Sequence, residues 1–288
     1  MAATRIQLCG RLVGEVAGRR IENELPGRQG RLLFAFLVVN RLRTASRDEL
    51  VEAVWPGGRD GGGLAPLLSK LRRLVELEGR SRIRIVLPGD AWVDVDAATE
   101  GLHRAEAAVA RRDWTAAWGP ARAAQHVARR GFLPGEEAPW VSEERRRLEE
   151  IHTRSLELVA EACVNIGGCE LDTAERAARA LVREQPFRET GWRLLMRVLD
   201  ARGNRAEALK VYDELRGSSA TSSERLRARR RRRYTESCSP SSVSTTLLLG
   251  VVCFAHERGV GVVRLFGLRE QLEDPARRGI GLLRGEPP

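Results

Sequence analysis

Long hydrophobic runs are missing from this 288-residue chain. The longest, LLLGVVCFA at Leu247–Ala255, has nine residues, against the roughly 20 that a membrane-spanning helix needs. No apolar stretch follows the basic residues near Met1, so a secretory signal peptide is not expected. A soluble, cytoplasmic protein without membrane contact is the expectation.

Cysteine is sparse and unpatterned. Cys9, Cys163, Cys169, Cys238 and Cys253 are an odd number with no C-x-x-C pair. No histidines stand near them at ligand spacing, which argues against a zinc site and favours free thiols in a reducing compartment. Histidine is scarcer still. His103, His126 and His152 stand alone, and the pairs Glu136-Glu137 and Glu143-Glu144 read as solvated helix faces. The glycine-rich stretch Gly57–Gly63 lacks both the Gly-Lys-Ser/Thr ending and the preceding strand of a phosphate loop. No residue set for catalysis is present, and no cofactor or metal is expected.

What the chain does have is unevenly distributed charge. Residues 1–96 carry 16 basic and 12 acidic side chains, residues 97–216 carry 20 of each, and residues 217–288 carry 13 and 7. The outer blocks therefore have an electrostatic reason to meet nucleic acid, and the neutral middle has none. The length suits about two domains of ~100–200 residues each.

The first block opens on strand-like runs, TRIQLC (Thr4–Cys9), RLVGEV (Arg11–Val16) and RRIENEL (Arg19–Leu25), separated by Gly10 and Gly18. After Pro26-Gly27 the apolar period becomes helical, with Leu32, Leu33, Phe36, Leu37 and Val39 in phase. Ser46 then N-caps RDELVEAVW, with Glu49 as its capping-box partner. A third helix is predicted over Leu64–Glu78. At 100° per residue, Leu64, Leu67, Leu68, Leu74 and Val75 fall within about 60° of Leu71. Ser69 and Arg73 lie opposite, Lys70 and Arg72 flank the stripe, and Pro66 is tolerated in the first turn. RIRIVL (Arg82–Leu87) and WVDVD (Trp92–Asp96) read as a closing hairpin. Strands, three helices and a hairpin make a helix-turn-helix with a wing, an arrangement that places a helix in the major groove.

RDELVEAVWPGG, LLSKLRRLVE and PGDAWVDVD together resemble the winged helix of the OmpR/PhoB type, and more specifically that of SARP-type bacterial transcriptional activators. The resemblance implies that the third helix enters duplex DNA. Ser69 and Arg73 are then the base-contact candidates, Lys70 and Arg72 the phosphate partners, and Arg82 and Arg84 the wing residues near the backbone or minor groove.

From Ala97 to Arg216 strand signals are absent. Breaks fall at Arg112-Asp113, Gly131–Pro139, Gly167-Gly168, Pro186 and Gly203-Asn204. A 34-residue period pairs Leu158 with Trp192, Ala174 with Ala208, and Ala178 with Tyr212, the signature of a tetratricopeptide-like repeat. Asp113 and Ala117 echo Asn204 and Ala208, with the long helix Trp140–Ile166 intervening. QPFRETGWRLLMRVLDARGNRAEALKVYDEL is similar to the bacterial transcriptional activation domain of the same family. That similarity implies homodimerisation and contact with RNA polymerase. The expected fold class is an α+β winged helix (1–96) followed by an all-α tetratricopeptide-like domain (97–216). The expected function is sequence-specific DNA binding in transcriptional activation. The alternatives are a helical-repeat scaffold, or the first part of a larger multidomain regulator.

The amphipathic period vanishes at Gly217. One choice of GC-rich codons for Gly217–Ala228, read one nucleotide earlier with a G supplied upstream, gives GLLRDELGTAPS, which resembles the family's continuation. Residues 217–288, with the arginine block Arg229–Arg233, are accordingly expected to be a frameshifted readout or a disordered basic tail.

Overall fold

A computed structural model describes residues 4–58 and 63–217; the expectations for the tail beyond Gly217 lie outside the described residues. Two small sheets and three helices form the amino-terminal part. Strands β1 (Arg5–Gln7), β2 (Val13–Val16) and β3 (Arg19–Arg20) form an antiparallel meander. The strand expected over Arg19–Leu25 is thus only two residues long. From Ile21 the chain turns, with the Glu24 amide donating to the Ile21 carbonyl, because Ile21 and Leu25 must both bury.

Helix α1 (Gly27–Val39) carries the buried run Leu32–Val38. Strand β4 (Ala45–Ser46) leads into α2 (Arg47–Val54). The Ser46 hydroxyl accepts from the Glu49 amide, and the Glu49 carboxylate accepts from the Ser46 amide, so the capping box predicted from sequence is formed. The Ser46 amide and then the Arg43 guanidinium hold the Glu49 carboxyl below its ordinary range. Its contribution to α2 is therefore present above the unfolded-state value and is lost as pH falls through the folded one. Ser46→Ala should cost about 1 kcal/mol of unfolding free energy, to be read by urea denaturation at neutral pH.

Helix α3 (Leu64–Leu71) starts where predicted but ends seven residues early. The Arg72 amide closes the helix on Leu68, and the Leu74 and Val75 amides both turn back to the Leu71 carbonyl. Leu74 and Val75 still face the core from this turn, which is why their spacing reads as continued helix. Strand β5 (Glu76–Glu78) follows and pairs antiparallel with β6 (Arg82–Val86). The wing is therefore β5–β6, and not the hairpin of Arg82–Leu87 with Trp92–Asp96. Gly79 makes its turn possible: its φ is +86° and an added Cβ would stand 1.8 Å from the Arg82 carbonyl oxygen. Strand β6 also pairs with β4, giving the sheet order β4-β6-β5. Strand β7 (Trp92–Val93) runs parallel to β1 and completes the other sheet, β3-β2-β1-β7.

Beyond β7 the described chain is helical. The helices are α4 (Asp94–Ala110), α5 (Trp114–Ala128), α6 (Pro139–Ile166), α7 (Leu171–Glu184), α8 (Glu189–Ala201) and α9 (205–217), with a 3-10 turn at Gly168–Glu170. Every break predicted from sequence separates two of them. Asp113 caps α5 through the Ala116 amide, and Ala117 is fully buried. Leu158, Ala174, Ala178 and Trp192 are buried as the repeat requires.

The buried side chains form two main cores. The first joins α1–α3 and both sheets to Ala98, Val127, Phe132, Val141, Leu148 and Ile151. The second joins α4, α5 and the carboxy-terminal half of α6 to α7, α8 and Val211. The helical segment beyond residue 97 therefore supplies part of the core on which the winged helix rests. The segment between α5 and α6 does the joining. The Leu133 amide donates to the Leu8 carbonyl and the Gly10 amide to the Gly131 carbonyl, making an isolated antiparallel bridge between Cys9, just beyond β1, and Phe132. In the second core, buried Glu157 accepts from Arg154 and Arg188, and Arg154 reaches on to Glu106, tying α4, α6 and the turn before α8.

Candidate nucleic-acid interface

The polar face of α3 is built by its apolar one. Leu64, Leu68 and Leu71 are fully buried, each worth about 1.5–3 kcal/mol of transfer free energy, and they fix the helix rotation. Ala65, Pro66, Ser69 and Lys70 are consequently exposed on the opposite side. Lys70 projects from the last turn with no ion-pair or hydrogen-bond partner among the described residues. Arg73 is likewise exposed and unpartnered, but it stands in the turn beyond the helix, not on it.

The other basic candidates are engaged within the protein. The Arg72 guanidinium donates to the Gly79 carbonyl at 2.8 Å, fastening the end of α3 to the wing's turn. Arg82 donates to the Thr44 hydroxyl at 2.9 Å and to its carbonyl at 3.3 Å, fastening the wing's root to the segment before α2. Arg84 pairs with Glu78 across the wing at 2.7 Å. The fold thus brings Ser69, Lys70, Arg72 and Arg73 to one end of α3, while Arg82 and Arg84 lie along β6. Arg47 at the first position of α2 and Arg80 in the wing's turn are also exposed cations without a partner among the described residues, and periodicity did not single them out. Finding the wing at Gly79 instead of at Pro88 would have singled out Arg80.

The two buried thiols, Cys9 and Cys163, are chemically quiet. Burial, then the nearby Asp94 carboxylate, pushes the Cys9 thiol far up. Cys163 is pushed up to about 11, by burial first and then by Glu170. A thiolate is the reactive form, so neither is a nucleophile at neutral pH. Among the described residues no His/Cys/Asp/Glu group could hold a metal, and no helix is long and apolar enough to cross a membrane.

Residues 93–232 match the family described as the bacterial transcriptional activator domain. The matched stretch starts at β7 and runs past Gly217, where the amphipathic period stops. Regulatory protein AfsR of Streptomyces coelicolor is 29% identical over 197 residues, which are 65% of this chain and 19% of that protein. The chain therefore spans about a fifth of the length of this relative. The structure of Mycobacterium tuberculosis EmbR, solved in complex with a low-affinity phosphopeptide, shares the fold with a TM-score of 0.60 at 22% identity, covering 76% of this chain and 60% of that one. The matched activator domain and the regulatory relative make this chain similar to SARP-type bacterial transcriptional regulators, and the winged helix followed by helical repeats is the fold shared with EmbR.

Proposed function

We propose that the winged helix binds duplex DNA sequence-specifically, with α3 in the major groove, and that the helical domain carries homodimerisation and contact with RNA polymerase during activation. The observation that carries this reading is the division of α3. Three buried leucines lock one face, leaving Ser69 and Lys70 outward and Arg73 uncommitted beside them. A cation without an intramolecular partner releases counterions on meeting a phosphate, so binding gains free energy without breaking an internal bond.

The roles differ between side chains. Ser69 and Arg73 are base readers, and Lys70 is a phosphate contact. Arg72, Arg82 and Arg84 reach the backbone only by sharing or leaving their present partners. Lys70→Ala should weaken binding uniformly across sequences and reduce the slope of log affinity against log salt by about 1. Arg73→Ala should lose about 1–3 kcal/mol of discrimination at one base position. Mobility-shift titrations of selected genomic fragments at several salt concentrations measure both. Unchanged operator selectivity in Arg73→Ala would remove the base-readout role, and absence of any duplex retention would remove the DNA reading altogether.

A further inference from the structure

Helix α9 presents one stripe that the repeat leaves open. At 100° per residue, Arg205, Leu209, Tyr212 and Arg216 fall in line, while Ala208 and Val211 turn inward to the second core. Leu209 is 66% and Tyr212 47% exposed. Tyr212 corresponds to Ala178 one repeat earlier, and Ala178 is fully buried. In a stacked solenoid each helix pair covers the apolar face of the one before, so the Leu209–Tyr212 stripe occupies the surface on which a following helix would stack.

We propose that this stripe is a docking face for an acidic amphipathic helix supplied by another protein. The charges choose the occupant. Arg205 and Arg216 close the stripe at its two ends, and the Arg216 guanidinium lies 5.9 Å from the Tyr212 ring centroid. Arg205 has only a long, solvated contact to Asp200, at 3.4 Å. Asp213 is exposed but lies off the stripe's edge. A second copy of this chain fits poorly: antiparallel pairing that sets Leu209 against Tyr212 also sets Arg205 against Arg216, twice. The residues that directly continue α9 fit no better. Residues 218–233 hold seven arginines, one glutamate and one leucine, so they bring like charge and little apolar surface. A helix with leucines at i, i+3, i+4 and i+7 and glutamates beside them supplies both terms.

The test uses the full chain and two fluorescent synthetic helices that share that leucine pattern, one flanked by glutamates and one by lysines. Anisotropy titration should show the glutamate helix binding at least about tenfold more tightly than the lysine helix. Leu209→Ser should weaken it by about tenfold or more, and Arg216→Glu should shift the preference toward the lysine helix. Leu209 is exposed, so circular dichroism of Leu209→Ser should match the parent, and its duplex binding should be unchanged. Equal binding of the two helices, no binding of the glutamate helix, or an unaffected Leu209→Ser would each overturn the proposal. So would sedimentation showing that Leu209→Ser converts a dimer to a monomer, because a second copy would then own the face.

Discussion

Asp94→Ala is expected to cost about 3–5 kcal/mol of unfolding free energy, the range for removing one partner of a buried charged network. Asp94 is fully buried at the start of α4. Its two carboxylate oxygens accept from the Leu8 and Cys9 amides, each at 2.9 Å, and Arg130 approaches at 3.5 Å. One side chain thus joins the end of β1, the first turn of α4 and the residues that follow α5. Alanine leaves two buried amides without acceptors, each worth about 1–3 kcal/mol, and removes the countercharge from Arg130. Asp94→Asn keeps the volume and one acceptor, but sets its amide group against the Cys9 amide, so an intermediate loss is expected. The pH dependence has a definite sign. Burial pushes the Asp94 carboxyl up and outweighs the Leu8 and Cys9 amides and the Arg130 guanidinium that favour its charged form. The native state therefore holds this proton more tightly than the unfolded state. Its contribution to stability falls as pH rises from the ordinary aspartate value through the raised one. Urea midpoints of the parent and Asp94→Asn across that window measure it; a difference that grows with pH would contradict the assignment.

Local features of the fold were legible where sequence neighbours decide them. Ser46 and Glu49 form their capping box within four residues, and the start of α3 follows from Leu64, Leu68 and Leu71. The end of α3 was not legible from periodicity, because Leu74 and Val75 keep facing the core after the helix has stopped. Gly79 was the missed signal: it sits between two alternating runs at a position that only glycine can occupy. The pairing of Trp92–Val93 with β1 is non-local, and nothing in either short strand specifies a parallel partner. The candidate interface divides in the same way. Ser69 and Lys70 follow from the helix period, whereas the partners of Arg72, Arg82 and Arg84 are a carbonyl, a hydroxyl and a carboxylate that a long guanidinium finds only after folding.

Trp140→Ala is expected to unfold one core ahead of the other. Trp140 enters α6 at its amino-terminal end and meets Phe36 and Phe132 edge-on, at 5.3 and 5.7 Å between ring centroids. Its indole N–H donates to the Ala53 carbonyl at 2.9 Å, in the last turn of α2. The contact therefore holds the helix-turn-helix against the long helix of the activator domain. Neighbouring Glu136 reinforces the joint by pairing with Arg28 and Arg31 of α1, while Arg145 donates to the Phe132, Leu133 and Glu136 carbonyls. Truncation removes the ring packing and strands the Ala53 carbonyl, at about 3 kcal/mol for a partly buried tryptophan. Trp140→Phe retains the edge-on packing and loses only the hydrogen bond, about 1 kcal/mol. Trp140 belongs to the first core, and α7 and α8 pack in the second. Hydrogen exchange in Trp140→Ala should accordingly show lost protection in α1 and α2 with α7 and α8 preserved. A uniform loss would mean that the two cores unfold as one unit. The proposed DNA binding gives a second readout: because the first core orients α3, the same variant should lose affinity for duplex DNA with an unchanged salt slope, since no phosphate contact has been removed.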